Sequence, residues 1–351
     1  MNVTRLSLFT LLAGAAVAQT TYVFPPEYDT AWGRGSTALL AGNSTRTQII
    51  LAQPFALGTT VTGIGVRAAT TTVDRAAFTV DIEVRASSTA AVPGALSATW
   101  GTNIGNDEVV VLPRQIVTIP DMPANRGTGT YAQIPFAIPF VFGTNANPNL
   151  CVDILVYGRS AGATWSTDRA FAATGGRVAT AGLGCGAGTI SSTSTGGTYV
   201  GGATVAVTLA NATPNSLALL VPAFDQKEFS PGLPLPVSLS QFGGAVGCDV
   251  LVNPSLGTLA FVTDPAGAAT SSLTLPLGLG QFGIGWQWIY NVPSTLTNPL
   301  GFETTANRAM WIGPEIVVPR AQYVWHLSNV AAATASSATT DSVPVVQIHT
   351  L

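Results

Sequence analysis

Apolar and polar residues alternate one by one along many short segments of this chain, and this period of two limits the folds open to it. The segment FTVDIEVR at 78–85 puts apolar side chains on one face and polar ones on the other. Such alternation predicts a half-buried strand. Further apolar stripes or runs lie at 134–142, 152–156, 205–209, 217–221 and 286–290. Helical periodicity is nearly absent after residue 18, so we predict an all-β chain.

Turn-forming residues separate these runs, as at 121–123 and 145–148. Many short strands with turns at fairly regular spacing are typical of β-sandwiches, so we predict two sandwich domains. Pro135 and Pro139 interrupt one stripe. Because proline cannot donate to a β-ladder, that segment is predicted at a sheet edge or rim. Only 9% of the residues are charged and 47% are hydrophobic, which argues against a disordered chain.

The first eighteen residues have the pattern of a secretory signal. Arg5 is the only positive charge there, residues 6–17 form an apolar core, and Ala16-Val17-Ala18 fits an A-x-A cleavage site. The pattern predicts a cleaved signal and a secreted, extracellular or cell-surface protein. No later segment offers about 18 uninterrupted apolar residues, so no membrane span is expected. Release or non-covalent attachment to the surface is therefore favoured.

A stretch rich in glycine, alanine, serine and threonine separates two strand-rich halves of the chain. We predict a β-sandwich at 20–178, a second, immunoglobulin-like sandwich at 179–313 and a C-terminal extension at 314–351. The extension contains two candidate strands, at 323–327 and 343–349. The last strand is expected either to close the second sandwich or to donate an edge to a neighbouring chain.

The chain has three cysteines, Cys151, Cys185 and Cys248. Export makes disulfides feasible, and an odd count leaves one thiol unpaired or paired between chains. We favour a Cys185–Cys248 bond because both residues lie in Gly-Cys contexts within the second predicted sandwich. Cys151 lies in a strand-like segment, where a buried and unreactive thiol is the simpler interpretation. CxxC spacing is absent, so no zinc site is predicted.

Two sets of motifs resemble those of secreted proteins of planctomycete bacteria. The first half carries VTGIGVR at 61–67, FTVDIEV at 78–84 and NLCVDI at 149–154, and it is similar to a jelly-roll-like secreted domain. The second half carries GCG at 184–186 and GCDVLV at 247–252, and it resembles a β-sandwich module near the C-termini of such proteins. The resemblance implies export and two β-sandwich units, and it brings no catalytic residues.

Patterns for nucleophilic or metal-assisted hydrolysis are missing from the sequence. Both histidines, His326 and His349, lie in the C-terminal extension, where His326 is interpreted as an ordinary strand residue. Neither a G-x-S-x-G nor an H-E-x-x-H pattern occurs. The chain is therefore predicted not to be an enzyme of either class.

A pair of carboxylates is the remaining route to hydrolysis, as in glycosidases. Asp81 and Glu83 share one strand face, where Arg67 and Arg85 are expected to neutralise them across strands. We favour this paired and solvated face over a catalytic pair. The full set of candidates is Asp81, Glu83, Asp107, Glu108, Asp153 and Asp168.

Calcium is the one cofactor that the sequence leaves open. Asn106, Asp107 and Glu108, with Asn103 nearby, place oxygen ligands in a predicted loop, and calcium prefers such ligands. The spacing does not fit an EF-hand, and asparagine and aspartate also form turns without any metal. No other cofactor is predicted.

Trp286 and Trp288 fall on the same face of a predicted strand, as an exposed platform for stacking on sugars would require. We favour a buried core layer at these residues, and the exposed platform is the alternative interpretation. The single lysine, Lys227, and a net charge of −3 exclude the basic surface of a nucleic-acid-binding protein.

Three functions follow in order of preference. The first is a non-catalytic exported protein of the cell surface or extracellular matrix, structural or adhesive. Its partners would be other matrix proteins, polysaccharide or further copies of itself. The second is a pair of carbohydrate-binding modules, and the third is an exported hydrolase that uses carboxylates of the first domain.

Overall fold

The computed structural model describes residues 19–33, 35–160, 166–171, 176–277, 282–313, 321–339 and 342–351. The predicted signal at 1–18 lies outside the described residues. No helix in the described ranges is long and apolar enough to span a bilayer.

Strands dominate the described chain, which confirms the all-β prediction. Strands β1 to β9 are Thr20–Phe24, Gly35–Thr37, Thr45–Ala52, Thr60–Val66, Phe78–Thr89, Val109–Ile119, Ala132–Val141, Asn149–Arg159 and Thr167–Phe171. Strands β10 to β22 are Arg177–Ala181, Thr189–Ser194, Thr204–Ala210, Leu217–Ala223, Glu228–Ser230, Leu233–Pro234, Val237–Ser238, Asp249–Val250, Leu259–Val262, Ala269–Thr274, Phe282–Asn291, Phe302–Thr304 and Asn307–Ile312. Strands β23 to β26 are Ala321–His326, Ser337–Thr339, Ser342–Pro344 and Val346–Thr350.

Helices are short and few in the described ranges. Helix α1 spans Trp100–Asn103, and single 3-10 turns occupy Pro26–Tyr28, Thr195–Gly197, Leu239–Phe242 and Pro254–Leu256.

The first body is a sandwich of antiparallel sheets. One sheet has the order β24-β23-β3-β8-β5-β6, and its apolar face packs on the sheet β1-β26-β4-β7; a small sheet, β2-β9-β25, adjoins them. Along β5 the alternation seen in the sequence is realised, because Phe78, Val80, Ile82 and Val84 are all buried. Strand β7 lies at the edge of its sheet, which confirms the position predicted from Pro135 and Pro139.

The C-terminal strands belong to the first body, contrary to both options expected for the last strand. Strand β23 pairs with β3 from Ala321↔Leu51 to His326↔Arg46. Strand β26 lies between β1 and β4, and all five of its residues are buried. The physical reason is that Val346 and Ile348 fill the core left open between two strands near the start of the chain. Both ends of the described chain therefore meet in one sandwich.

The second body is inserted between β9 and β23. Its larger sheet has the order β10-β22-β20-β13-β18, with β21 added to β20, and it packs on the sheet β11-β12-β19. A cover built from residues 224–258 lies on the outer face of the larger sheet, where Val221 and Ala223 contact Val252. The predicted disulfide is confirmed: Cys185 is bonded to Cys248 and so joins the segment after β10 to this cover.

Candidate functional site

The most heavily bonded polar group lies where the two bodies meet. Arg67, fully buried on the segment after β4, donates from Nε to Asp168 Oδ2 at 2.9 Å. Its remaining nitrogens donate to the carbonyl oxygens of Tyr28, Ala31 and Thr128, each at 2.9 Å. Burial acts to lower the pKa of Arg67, but nearby Tyr131 and Asp168 outweigh it, so the pKa is raised. The guanidinium stays charged and fully used.

Asp168 is equally occupied. Its carboxylate also accepts hydrogen bonds from the backbone N–H groups of Gly33 and Arg169 at 2.9 and 3.0 Å. A side chain at position 33 would collide with a carboxylate oxygen of Asp168, so this approach requires glycine. The hydrogen bonds of Arg67 and Asp168 all go to groups inside the fold. The pair therefore stabilises the fold and presents no free donor or acceptor to a substrate.

The ring of Trp32 contacts two arginines, Arg67 of this pair and Arg126. The guanidinium carbons of Arg67 and Arg126 are 5.0 and 5.1 Å from the ring centroid, which is cation–π geometry. Burial lowers the pKa of Arg126 to about 10. Trp311, on strand β22 of the second body, donates from Nε1 to the backbone carbonyl of Trp32 at 2.9 Å. This hydrogen bond therefore links the two bodies.

The acidic face of β5 is paired, as expected, but with partly different partners. Glu83 contacts Arg85 at 2.6 Å, and Asp81 contacts Arg114 of β6 at 2.6 Å. The Arg114 hydrogen bond lowers the pKa of Asp81. The expectation that Arg67 serves this face was wrong, because Arg67 lies after the end of β4 and turns into the interior toward Asp168.

Asp153 lies on the same outer face of the sheet, on β8, and is buried. It receives Arg46 from β3 at 2.6 Å and Gln48 at 3.0 Å. The guanidinium of Arg46 lies 4.8 Å from the ring centroid of Trp100, which covers the pair from helix α1. All three carboxylates of this face are thus occupied by arginines, with no pair of free acids facing a cleft there.

The oxygen-rich loop uses its side chains for turns. Asp107 accepts from the Ser88 N–H at 2.8 Å and from the Thr144 hydroxyl at 3.0 Å. Asn106 accepts from Asn145 at 2.8 Å. These bonds join the loop before β6 to the turn after β7.

Glu108 points elsewhere, toward Arg85 at 3.9 Å, and burial raises its pKa. A carboxyl that is harder to ionise is a poorer calcium ligand. In the described ranges no group of three or more His, Cys, Asp or Glu side chains is arranged to hold a metal ion. Calcium binding at Asn106, Asp107 and Glu108 stays a prediction.

Neither histidine is placed for catalysis. The Nδ1 atom of His326 accepts from the backbone N–H of Asn329 at 3.1 Å and so closes a turn. His349 lies on β26 with its Nε2 atom against Gln133 Oε1, and burial lowers its pKa. The described lining of the small cavity beside His349 contains no acidic residue; it also includes Gln19, Thr62 and Pro135. In the described part of the chain, the hydrogen bonds of the two rings bring no acid to either of them.

Trp286 and Trp288 lie in the core of the second body, with exposed fractions of 5% and 0%. They form the buried core layer that the sequence favoured. The alternative, an exposed sugar-binding platform, was wrong, because the strand face that they share is covered by the sheet β11-β12-β19. Trp165, a further tryptophan of the sequence, lies outside the described residues.

Cys151 is free and buried, as expected, on strand β8. Burial raises the pKa of its thiol well above the usual value, which leaves it protonated and unreactive in the folded protein.

An apolar cavity of about 340 Å³ lies between the two sheets of the second body. Trp286 and Ile284 line it and are almost fully buried, whereas Phe224 and Leu259 are 50% and 47% exposed, so it runs from the surface into the core. Among the described residues that line it, none has a titratable side chain. These residues are Val205, Pro222, Phe224, Leu256, Leu259, Leu273, Leu275, Pro276, Phe282, Ile284, Trp286, Met310 and Ile312.

Sequence reasoning missed this cavity for a topological reason. Strands β18 and β19 are consecutive in the chain but belong to different sheets, and each is the last strand on its side. Leu259 on β18 and Leu273 on β19 both remain nearly half exposed. The sequence shows the alternation of apolar and polar residues along each strand. The gap between the two sheet edges, however, depends on how the sheets pack against each other.

No family model matches the chain, and no curated protein matches it. The similarities to solved structures are weak. The T=1 Penaeus vannamei nodavirus shares 12% identity over 78% of this chain and 83% of that one, with a TM-score of 0.13. Broad Bean Stain Virus shares 10% over 99% and 94%, with a TM-score of 0.14. The infectious bursal disease virus VP2 subviral particle shares 12% over 95% and 76%, with a TM-score of 0.15. At these scores the similarities support no statement about function.

Proposed function

We propose that this chain is a non-catalytic exported protein of the cell surface or extracellular matrix, with a structural or adhesive role. The groups best suited to chemistry are already engaged in the described part of the chain. Asp81, Glu83, Asp153 and Asp168 each pair with an arginine. The platform that motivated a carbohydrate-binding function is buried, and the described lining of the apolar cavity between the two sheets carries no acid or base.

The observation that carries the proposal is the surface of the second body. Residues 179–313 include only seven charged residues: Asp225, Lys227, Glu228, Asp249, Asp264, Glu303 and Arg308. The described residues of this span include twelve large apolar side chains that are exposed by 41% or more: Leu183, Leu217, Phe224, Leu233, Phe242, Val246, Leu256, Leu259, Val262, Leu273, Leu277 and Leu296. Apolar surface that few charges interrupt favours association with other molecules.

The topology is suited to display. The second body leaves the first after β9 and returns to it at β23, so both of its connections are anchored in one sandwich. The Cys185–Cys248 bond is of the kind that persists in oxidising compartments, which agrees with export. We infer that the first body holds the second in place and that the second body contacts the partner molecules.

Cell fractionation with matched variants tests this proposal. The full chain is expressed in its native cells, and envelope, matrix and medium are probed for it. Val246→Ser/Leu296→Ser removes two side chains that are 90% and 102% exposed, so the fold should be preserved. We expect the wild-type protein in the envelope or matrix and a marked shift of the variant into the medium.

The control is Val73→Ser/Val92→Ser, which alters two apolar side chains of the first body that are 54% and 53% exposed. It should fractionate like the wild type. A wild-type chain found only as a free monomer in the medium contradicts the proposal. An equal shift of both double variants into the medium would contradict the claim that the second body is the binding surface.

A further inference from the structure

The cavity in the second body has the chemistry of a hydrocarbon site. Its described lining comes from both sheets, and each residue of that lining is aliphatic, aromatic, proline or methionine. A sugar or a peptide backbone placed there would leave its hydroxyl or amide groups without hydrogen bonds, a cost that rules out tight binding. An alkyl chain carries no such groups and gains from leaving water.

The volume limits the length of that chain. An apolar cavity of about 150 Å³ holds one benzene ring, so 340 Å³ holds roughly a dozen carbon atoms. The side chains at the outer end, Phe224, Leu256, Leu259 and Leu273, are 45–50% exposed and uncharged. A head group would therefore remain in solvent, and no described lining residue offers it a counter-charge.

We propose that this cavity binds the hydrocarbon chain of a single-chain acyl amphiphile, up to about twelve carbons long, with the head group outside. The inference goes beyond the role in the matrix and does not depend on it. Val246 and Leu296, which test that role, do not line the cavity.

A chain-length series provides the test. Sodium alkanoates from hexanoate to hexadecanoate are titrated, each below its micelle concentration, into the full protein. Calorimetry measures Kd, and tryptophan fluorescence reports the cavity because Trp286 lines it. Affinity should rise roughly fourfold per methylene, the equivalent of about 0.8 kcal/mol each, and level off near dodecanoate. Alkyltrimethylammonium salts of equal length should follow the same curve.

Variants separate the cavity from adsorption to the surface. Val205→Trp places an indole in the lining from β12 and should weaken decanoate binding at least tenfold. Leu259→Trp narrows the outer end at a residue that is 47% exposed, so it remains informative if the first variant does not fold. Leu296→Trp, exposed and outside the lining, is the control and should bind like the wild type.

Several results would overturn the inference. They are no binding of any alkanoate, affinity that keeps rising beyond tetradecanoate, or binding that requires one sign of head group. Unchanged binding in both folded cavity variants would also overturn it. A protein that floats with phosphatidylcholine vesicles but ignores monomeric alkanoates would indicate adsorption to a bilayer and would equally refute a cavity for single chains.

Discussion

Replacing Arg67 by methionine is the most informative perturbation of this fold. The change removes a guanidinium that is fully buried and that contacts Asp168 at 2.7 Å. The Asp168 carboxylate would keep only its backbone donors, and three carbonyl groups would lose their donor. Breaking one side of a buried ion pair typically costs about 3–5 kcal/mol, since the other charge is left uncompensated. We expect a loss of that size in the free energy of unfolding.

Urea titration followed by circular dichroism and tryptophan fluorescence measures this loss. The control is Arg114→Met, whose pair with Asp81 lies on the solvent-exposed face and should be dispensable. The double variant Arg67→Met/Asp168→Asn should lose less stability than the sum of its two single variants, because the stranded charge is gone. A loss below about 1 kcal/mol for Arg67→Met, or strict additivity, would refute the reasoning.

Three further predictions follow from the same structure. Replacing Cys185 and Cys248 by serine opens a loop with a sequence separation of 63 residues, and chain entropy predicts a loss of about 4 kcal/mol in thermal or urea unfolding of the second body. Burial raises the pKa of Tyr131 from 10.0 to about 12, so the unfolded chain loses this proton first and stability falls as pH rises through that window. The slope is about 1.4 kcal/mol per pH unit, and Tyr131→Phe should remove it from alkaline urea titrations. Cys151 should resist thiol reagents in the native protein and react fully in denaturant, because burial keeps it protonated.

The local structure was largely predictable from the sequence. The alternation along β5 is visible to the eye, and Pro135 and Pro139 correctly indicated an edge strand. The Cys185–Cys248 bond was also anticipated. For the two strands the relevant physics, a pleat of period two or a missing N–H donor, acts within a few residues. For the disulfide, the two cysteines share a recognisable Gly-Cys context.

Long-range placement was not predictable in the same way. Strand β26 pairs with β4, although most of the chain separates the two strands in sequence. Nothing in the five residues of β26 identifies that partner. The same limitation applies to Trp286 and Trp288, since alternation shows that they share a face but not whether another sheet covers it. The sequence likewise predicted that Arg67 neutralises a strand face, because only the fold brings Asp168 within reach of it.

Hydrogen exchange of the last strand tests the central claim, which is that the chain's end is an interior strand of the body that carries the second one. Strand β26 is buried along its whole length and bonded on both sides, to β1 and to β4. Mass spectrometry of the peptide 342–351 from the intact protein should show protection as strong as that of β4. Exchange of that peptide within seconds, as in a loose C-terminal tail, would contradict the account.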